Sequence, residues 1–417
     1  MSEKRLVVSL PGREVGTLAQ ERSGLVRFTP ESVWDREQEP RLGLDFLRTR
    51  GPRTHASELP SWFENLLPEP ESELRRRLCA RHGLRHGQSF ALMRALGRDL
   101  IGAVELREEN AASGAPEHDA AREDRSAEML GDDDPSNRLS ALTGMQLKFS
   151  MSMVNERLTL PARGRGAQWI VKIARGDYEE LAEVETATMS WARASGFDVP
   201  AHFQVPVSEL DGIPEGWVSG VAPAFAIQRF DRREDGSRVH QEDLCQALAL
   251  RPAEKYGDRK RVTFDGAIQL LVDTCGDDDG HEFARRIGFM IASGNTDAHL
   301  KNWSLLWGER SRPTLTPCYD LVATISWRET LGWGRKEGPA LALPLGGERL
   351  FRRLSRPILE ACARRTATWV TDEILAGIER ARNAWPDIRH LAPRRMSAAL
   401  EEHWRSVPLL THLGALE

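Results

Sequence analysis

GNTDAHLKNWSLL, residues 294–306, lies where one periodicity gives way to another. Upstream, EFARRIGFMIASG (282–294) spaces Phe283, Ile287, Met290 and Ile291 as one buried face of a helix. Gly294-Asn295 then turns the chain, Asp297, His299 and Asn302 follow, and WSLLW (303–307) reads as an apolar strand. A hairpin through GERSRP (308–313) leads to TLTPCYDLVAT (314–324), with a second acid, Asp320, at its strand end. One reading makes Asn295 and Asp297 turn and capping residues. A metal site built on Asp297 and His299 is a lesser rival, since no matching His or Cys cluster appears. The third reading is phosphoryl transfer. There one carboxylate orients the attacking hydroxyl, while an amide oxygen and another carboxylate hold Mg²⁺ against nucleotide phosphates. The D-x-x-x-x-N spacing of Asp297 and Asn302 is that of a protein-kinase catalytic loop.

The upstream half strengthens the third reading. QWIVKIA (168–174) puts Lys172 in the middle of an apolar strand, where a charge is costly without a partner. Glu185 lies thirteen residues on, in the helical pattern EELAEVETATMSWARASG (179–196), with Leu181, Val184, Thr188 and Trp191 at helical spacing. A strand lysine paired with a helix glutamate aims an ammonium at the α- and β-phosphates. The alternative for Lys172 is an edge-strand lysine reaching water. No G-x-G-x-x-G precedes it, and ARGRGAQ (162–168) reads as a hairpin turn. The candidate phosphate cover is SALTGMQLKFS (140–150), where Gly144 lets backbone approach phosphates and Lys148 adds charge.

The chain has 417 residues, 40% hydrophobic and 29% charged, as in ordinary globular proteins. Its net charge of −5 gives no global argument for nucleic acid or a membrane surface as a direct partner. Five scattered cysteines without a CxxC suit reduced thiols. The apolar run near the start is too short for a signal peptide, so a cytoplasmic protein is expected. Short strands (LVVSL, EVGTLAQ, GLVRFTP) and helices (SELRRRLCARHG, SFALMRALG) make residues 1–106 a small α/β unit, and 107–137 a charged linker or excursion. Strands dominate residues 138–230 and helices 231–417, where EDLCQALAL (242–250) reads as helix.

Across nearly its whole length the sequence resembles the HipA family of bacterial toxin kinases. The resemblance rests on VGTL (15–18), WFENLLPE (62–69), ALGRDLIGAVEL (95–106), TGMQLK (143–148), IVKIA (170–174), IQRFDR (227–232), QEDLCQALAL (241–250) and the spaced pair GNTDAHLKN (294–302) and PCYDL (317–321). It implies an α+β fold: a two-lobed protein-kinase-like core, with a strand-rich N-lobe and a mostly helical C-lobe, behind an additional small N-terminal α/β subdomain. It implies an ATP- and Mg²⁺-dependent serine/threonine protein kinase, the toxin of a type II toxin–antitoxin module. Its partner would be HipB, a small helix-turn-helix antitoxin through which operator DNA is bound, and its protein substrate an aminoacyl-tRNA synthetase. Carried over by motif, Asp297 is the catalytic base, and Asn302 and Asp320 are the Mg²⁺ ligands. Lys172 contacts the nucleotide phosphates, oriented by Glu185. Thr143, Gly144, Met145, Gln146, Leu147 and Lys148 form the phosphate-side loop. Gln228, Arg229 and Phe230 form the adenine hinge, and His299, Leu300, Lys301, Asn302 and Tyr319 complete the pocket. For His299 a supporting hydrogen bond is expected. Family members commonly autophosphorylate a serine three residues before the loop glycine; that position is Ala141 here, leaving Ser140 or Thr143 as alternatives, of which Thr143 abuts Gly144. The same acids would serve a small-molecule or lipid kinase, and a silenced fold acting as a repressor-binding scaffold is a third possibility.

Overall fold

The structure, a computed structural model, describes residues 3–31, 42–48, 51–56, 58–98, 100–109, 146–155, 157–160, 167–174, 178, 180–213, 222–257, 262–308, 312–328, 338–414 and 416. Ser140, Ala141, Thr143, Gly144, Met145 and most of the expected linker therefore lie outside the described residues.

In the N-terminal unit, β1 (Lys4–Leu10), β2 (Arg13–Gln20), β3 (Val26–Pro30), β4 (Arg53–His55) and β5 (Glu105–Glu108) form an antiparallel sheet in the order β4-β3-β2-β1-β5. Helices α1 (Leu44–Arg48), α2 (Ser61–Glu64), α3 (Glu73–Arg81) and α4 (Ser89–Leu96) belong to the same unit. The Ser72 side chain accepts from the Arg75 N–H at the start of α3, and Leu74, Leu78 and Cys79 are buried.

The second sheet positions the site. It comprises β6 (Gln146–Val154), β7 (Arg157–Thr159), β8 (Trp169–Ala174), β9 (His202–Val205), β10 (Leu210–Asp211) and β11 (Ala224–Gln228), in the order β10-β7-β6-β8-β11-β9. Helix α5 (Leu181–Ala194) follows β8. Successive side chains on a strand serve opposite faces. Leu147, Phe149, Met151, Val171, Ile173, Ala224 and Ala226 share one core with the N-terminal unit. Phe225 and Ile227 join α5 and the C-terminal lobe in the other. Both faces of this sheet are covered.

The C-terminal lobe has β12 (His240–Asp243), α6 (Leu244–Ala247), α7 (Phe264–Thr274), α8 (Asp277–Ser293), β13 (Ser304–Trp307), β14 (Thr314–Leu315), β15 (Ala340–Leu345), β16 (Glu348–Leu350), α9 (Arg356–Ala363), α10 (Val370–Ile388), α11 (Arg394–Ser406) and α12 (Pro408–Thr411). Two expectations need correction. The helix read across 242–250 is a single turn, because Glu242 pairs with Leu305 in β12–β13 and Asp243 caps α6 in a capping box with Gln246. Helix α8 is not buried on one face alone: every residue from Arg286 to Ser293 is buried. Gly294 ends it at φ +62, and a Cβ there would come within 2.5 Å of Ile325, so glycine serves both the left-handed turn and the close packing.

Candidate active site

Lys172 lies on β8, flanked by β6 and β11, and is 4% exposed; it is not an edge-strand lysine reaching water. Register places Lys148 of β6 directly opposite it. Two like charges facing each other across a ladder oppose folding unless an anion sits between them. Asp320 is that anion. Its Oδ1 accepts from Lys172 and its Oδ2 from Lys148 at 3.2 Å, while Lys172 also bonds to the fully buried Glu185 of α5. Burial works against charge at all these groups. The two lysines nevertheless hold Asp320 well below the usual carboxylate range, and Asp320 and Glu185 keep Lys172 more basic than usual. Burial wins at Lys148, whose pKa is lowered, and at Glu185, whose pKa is raised. Asp320 has φ +53, a left-handed conformation uncommon outside glycine.

Asp297 faces the same cleft, which is lined by Lys148, Lys172, Glu185, Asn302 and Asp320 as well. The Asn295 side chain accepts from the Asp297 N–H at 2.9 Å, so Asn295 is the turn residue. Among the described residues the Asp297 carboxylate caps no helix; its Oδ1 accepts from the Tyr256 hydroxyl at 2.8 Å. Burial pushes this carboxyl up to about 6, with the Lys255 charge and the Tyr256 hydrogen bond pulling the other way. A carboxyl so tuned exchanges a proton near neutrality. The Asn302 amide donates to the Asp297 carbonyl at 2.7 Å, which leaves its oxygen for another partner. Thr324, four residues past Asp320, accepts from the Thr296 N–H at 2.7 Å and donates to the Gly294 carbonyl at 3.2 Å, fastening the two acid-bearing segments together.

The other expected site residues lie around this cleft or behind it. Leu147 and Leu300 are buried in the two cores, and Gln146 to Lys148 are strand rather than loop. The Arg229 guanidinium is taken by both oxygens of Asp231, at 2.8 and 2.7 Å, and by the Ser150 hydroxyl. Lys301 turns away to Asn65 and Asp243, at 3.1 Å each. Gln228 is exposed at the end of β11, and the Phe230 ring lies 5.7 Å from that of Tyr319, whose hydroxyl bonds to Ser304 and the Lys301 carbonyl. His299 packs edge-on against Tyr256 and is held neutral by burial and the nearby lysine charges. Its Nδ1 has no hydrogen-bond partner among the described residues, so the expected supporting bond is not met there. Tyr256 and Lys255 escaped the sequence reading: RPAEKYG (251–257) carries no periodicity or motif spacing that points to Asp297.

The donor set is hard oxygen, one carboxylate and one amide, beside two ammoniums. Among the described residues no three His, Cys, Asp or Glu side chains gather as a metal cage. Mg²⁺ is commonly held this way, by one or two protein oxygens together with substrate phosphates.

Fold and cleft together define a two-lobed, kinase-like protein of the HipA type. Residues 6–107 match the model of the HipA N-terminal domain, and residues 140–387 that of the HipA-like C-terminal domain. The chain belongs to the HipA family. It is 36% identical over 333 residues to Y4dM of Sinorhizobium fredii, a kinase candidate, with 78% of each chain covered. It is 25% identical over 296 residues to the serine/threonine-protein kinase toxin HipA of Shewanella oneidensis, covering 64% of each. The HipA structure from a Shewanella oneidensis MR-1 complex of HipA, HipB and operator DNA shares the fold, with TM-score 0.73, 22% identity, and 99% of this chain and 98% of that one covered.

Proposed function

We propose that the chain is an ATP-dependent serine/threonine protein kinase and the toxin of a module whose antitoxin is a HipB-like helix-turn-helix protein. The observation that carries this reading is the pair of facing lysines, Lys148 and Lys172, over a cleft that also holds Asp297, Asn302 and Asp320. Asp320 and Glu185 balance the two ammoniums, and this buried set of paired charges on adjacent strands suits a magnesium-bound triphosphate, whose phosphates would face the lysines and whose ion would face Asp320. Mg·ATP supplies the transferable phosphoryl group, with Asn302 and Asp320 as the oxygens that would hold the ion. Asp297 orients the acceptor hydroxyl and takes its proton, and the lysines oppose phosphate charge. Glu185 keeps Lys172 aimed. A HipB-like partner is supported by the likeness to a HipA–HipB–DNA complex, and operator DNA would be reached through it, since a net charge of −5 supplies no general attraction to phosphate.

The test is transfer from γ-labelled ATP to protein in a cell lysate. Asp297→Asn is expected to lower the rate about 100- to 10,000-fold while Mg·ATP affinity, read by calorimetry, holds. Asp320→Ala is expected to weaken Mg·ATP binding as well. Unchanged transfer by Asp297→Asn removes the role assigned to it; label appearing only in small molecules removes the protein-kinase reading.

A further inference from the structure

The segment WFENLLPE, residues 62–69, belongs to the N-terminal unit, yet four of its side chains hold buried polar partners. Two of these are internal or structural. Glu64 pairs with Arg75 at 2.8 Å, and the Trp62 indole donates to Glu242 at 3.1 Å. The other two reach far along the chain, Asn65 to Lys301 in the acid-bearing loop, 236 residues away, and Glu69 to Lys255 beside that loop, 186 residues away. Asn65 accepts from the Lys301 ammonium through both its carbonyl and its side-chain oxygen, each at 3.1 Å, and is itself fixed by a 2.8 Å bond to the Leu250 carbonyl. Glu69 accepts from the Lys255 ammonium at 3.0 Å.

Lys255 touches the loop in two further ways. Its carbonyl accepts from the Leu300 N–H at 3.1 Å, and it immediately precedes Tyr256, the donor to Asp297. The ammonium lies 5.4 Å from the centre of the Tyr256 ring. It is 4% exposed, and its Glu69 partner 15%. An ammonium so buried moves, or drags its backbone with it, if its anion is removed. Backbone movement at Lys255 would reach Asp297 through Tyr256 and Leu300.

We propose that Glu69 of the N-terminal unit is a positioning residue for Asp297, acting through Lys255, with Asn65 securing the far end of the same loop through Lys301. The inference rests on the kinase reading above and makes the N-terminal unit part of the transfer machinery rather than an appendage to it. Glu69 touches neither nucleotide nor acceptor. Its effect belongs in the rate of transfer and not in nucleotide affinity, because among the described residues its side-chain partner is Lys255 and not Lys148, Lys172, Asn302 or Asp320.

The experiment uses the full chain, Mg·ATP and lysate protein as acceptor, with Glu69→Gln, Lys255→Met and the double variant compared. Glu69→Gln is expected to lower kcat about tenfold or more while KM for Mg·ATP stays within about twofold, the pattern of a misplaced catalytic group. Lys255→Met should lower kcat likewise, and the double variant should be no slower than Lys255→Met alone, since the two residues act in series. Glu69→Asp, which keeps the charge one methylene shorter, should recover part of the rate and guards against a folding defect in the glutamine variant. Wild-type kcat in Glu69→Gln, a loss confined to KM, or losses that multiply in the double variant would each overturn the proposal while leaving the kinase reading intact. If the unaltered chain transfers no label and Asp297→Asn behaves the same, both readings fall together.

Discussion

Asp297 combines three conditions: it is buried, it ionises near neutrality, and a phenol holds one of its oxygens. As a base it must be unprotonated, so transfer should rise with pH through about 6, the value to which burial brings it. Tyr256→Phe removes a hydrogen bond made to the charged form, which lets the carboxyl pKa climb further. The acid limb of the pH–rate profile is then expected to move upward by about half a unit or more, read from kcat/KM between pH 5 and 8. A limb that stays in place, or moves down, contradicts this assignment of the phenol. At this scale the sequence was informative wherever a side chain was costly or regularly spaced: Lys172 in its apolar strand, Glu185 on the next helix, Asp297 and Asn302 five apart. It was silent on Tyr256, Lys255, Asn65 and Glu69, which reach the loop only through tertiary structure. It did not show that the side chains of Leu147, Leu300, Lys301 and Arg229 point away from the cleft, because contiguity in a motif does not say which way alternate side chains point.

Among the elements, α8 sets the aim of the loop, and its position is fixed by a close crossing with α10. A Cβ on Gly288 would lie 2.1 Å from the Ile374 carbonyl oxygen, and one on Gly377 would lie 1.9 Å from that of Arg285. Backbone meets backbone there, and no flexible side chain can give way. Gly377→Ala is therefore expected to cost about 3 kcal/mol or more, seen as a lowered urea midpoint. It should also slow transfer, since α8 leads directly into Gly294 and the turn to Asp297. Near-native stability would mean that the helices part without penalty. Periodicity alone found α8 but not the burial of its second half, Arg286 to Ser293, on every side, because a stretch enclosed by other elements loses the polar stripe that marks one face. The over-long helix at 242–250 has a different cause. Glu242 sits where helix propensity is good, but the β13 ladder claims its backbone, and Leu44, Trp62 and Trp307 donate to its carboxylate. Burial pushes that carboxyl up to about 8 in spite of its three donors.

For the molecule as a whole, the decisive fact is the shared core beneath the second sheet. Phe149, Met151, Val171 and Ile173 pack in one cluster with Phe28, Trp62 and Phe90 of the N-terminal unit. A chain beginning near residue 110 would leave that face of the sheet in water. Such a truncation is expected to be insoluble or to bind a hydrophobic dye strongly, while the full chain melts in one calorimetric transition; a soluble, cooperatively folding truncation would contradict it. Composition predicted separate units along the chain and the order of strand-rich and helical regions. It could not predict that the units share a core, since a strand buried on both faces and one buried on a single face can carry similar residues.

Strands β6 and β8 carry the two ammoniums on one side and aliphatic and aromatic anchors on the other. Inserting or deleting one residue within 146–151 or 169–174 would exchange the two sets, thrusting charge into the oily layer and methyl groups toward the phosphates. Length changes among relatives should accordingly accumulate in the connecting loops and spare these two segments, a pattern that aligned genomes can reveal without any assay.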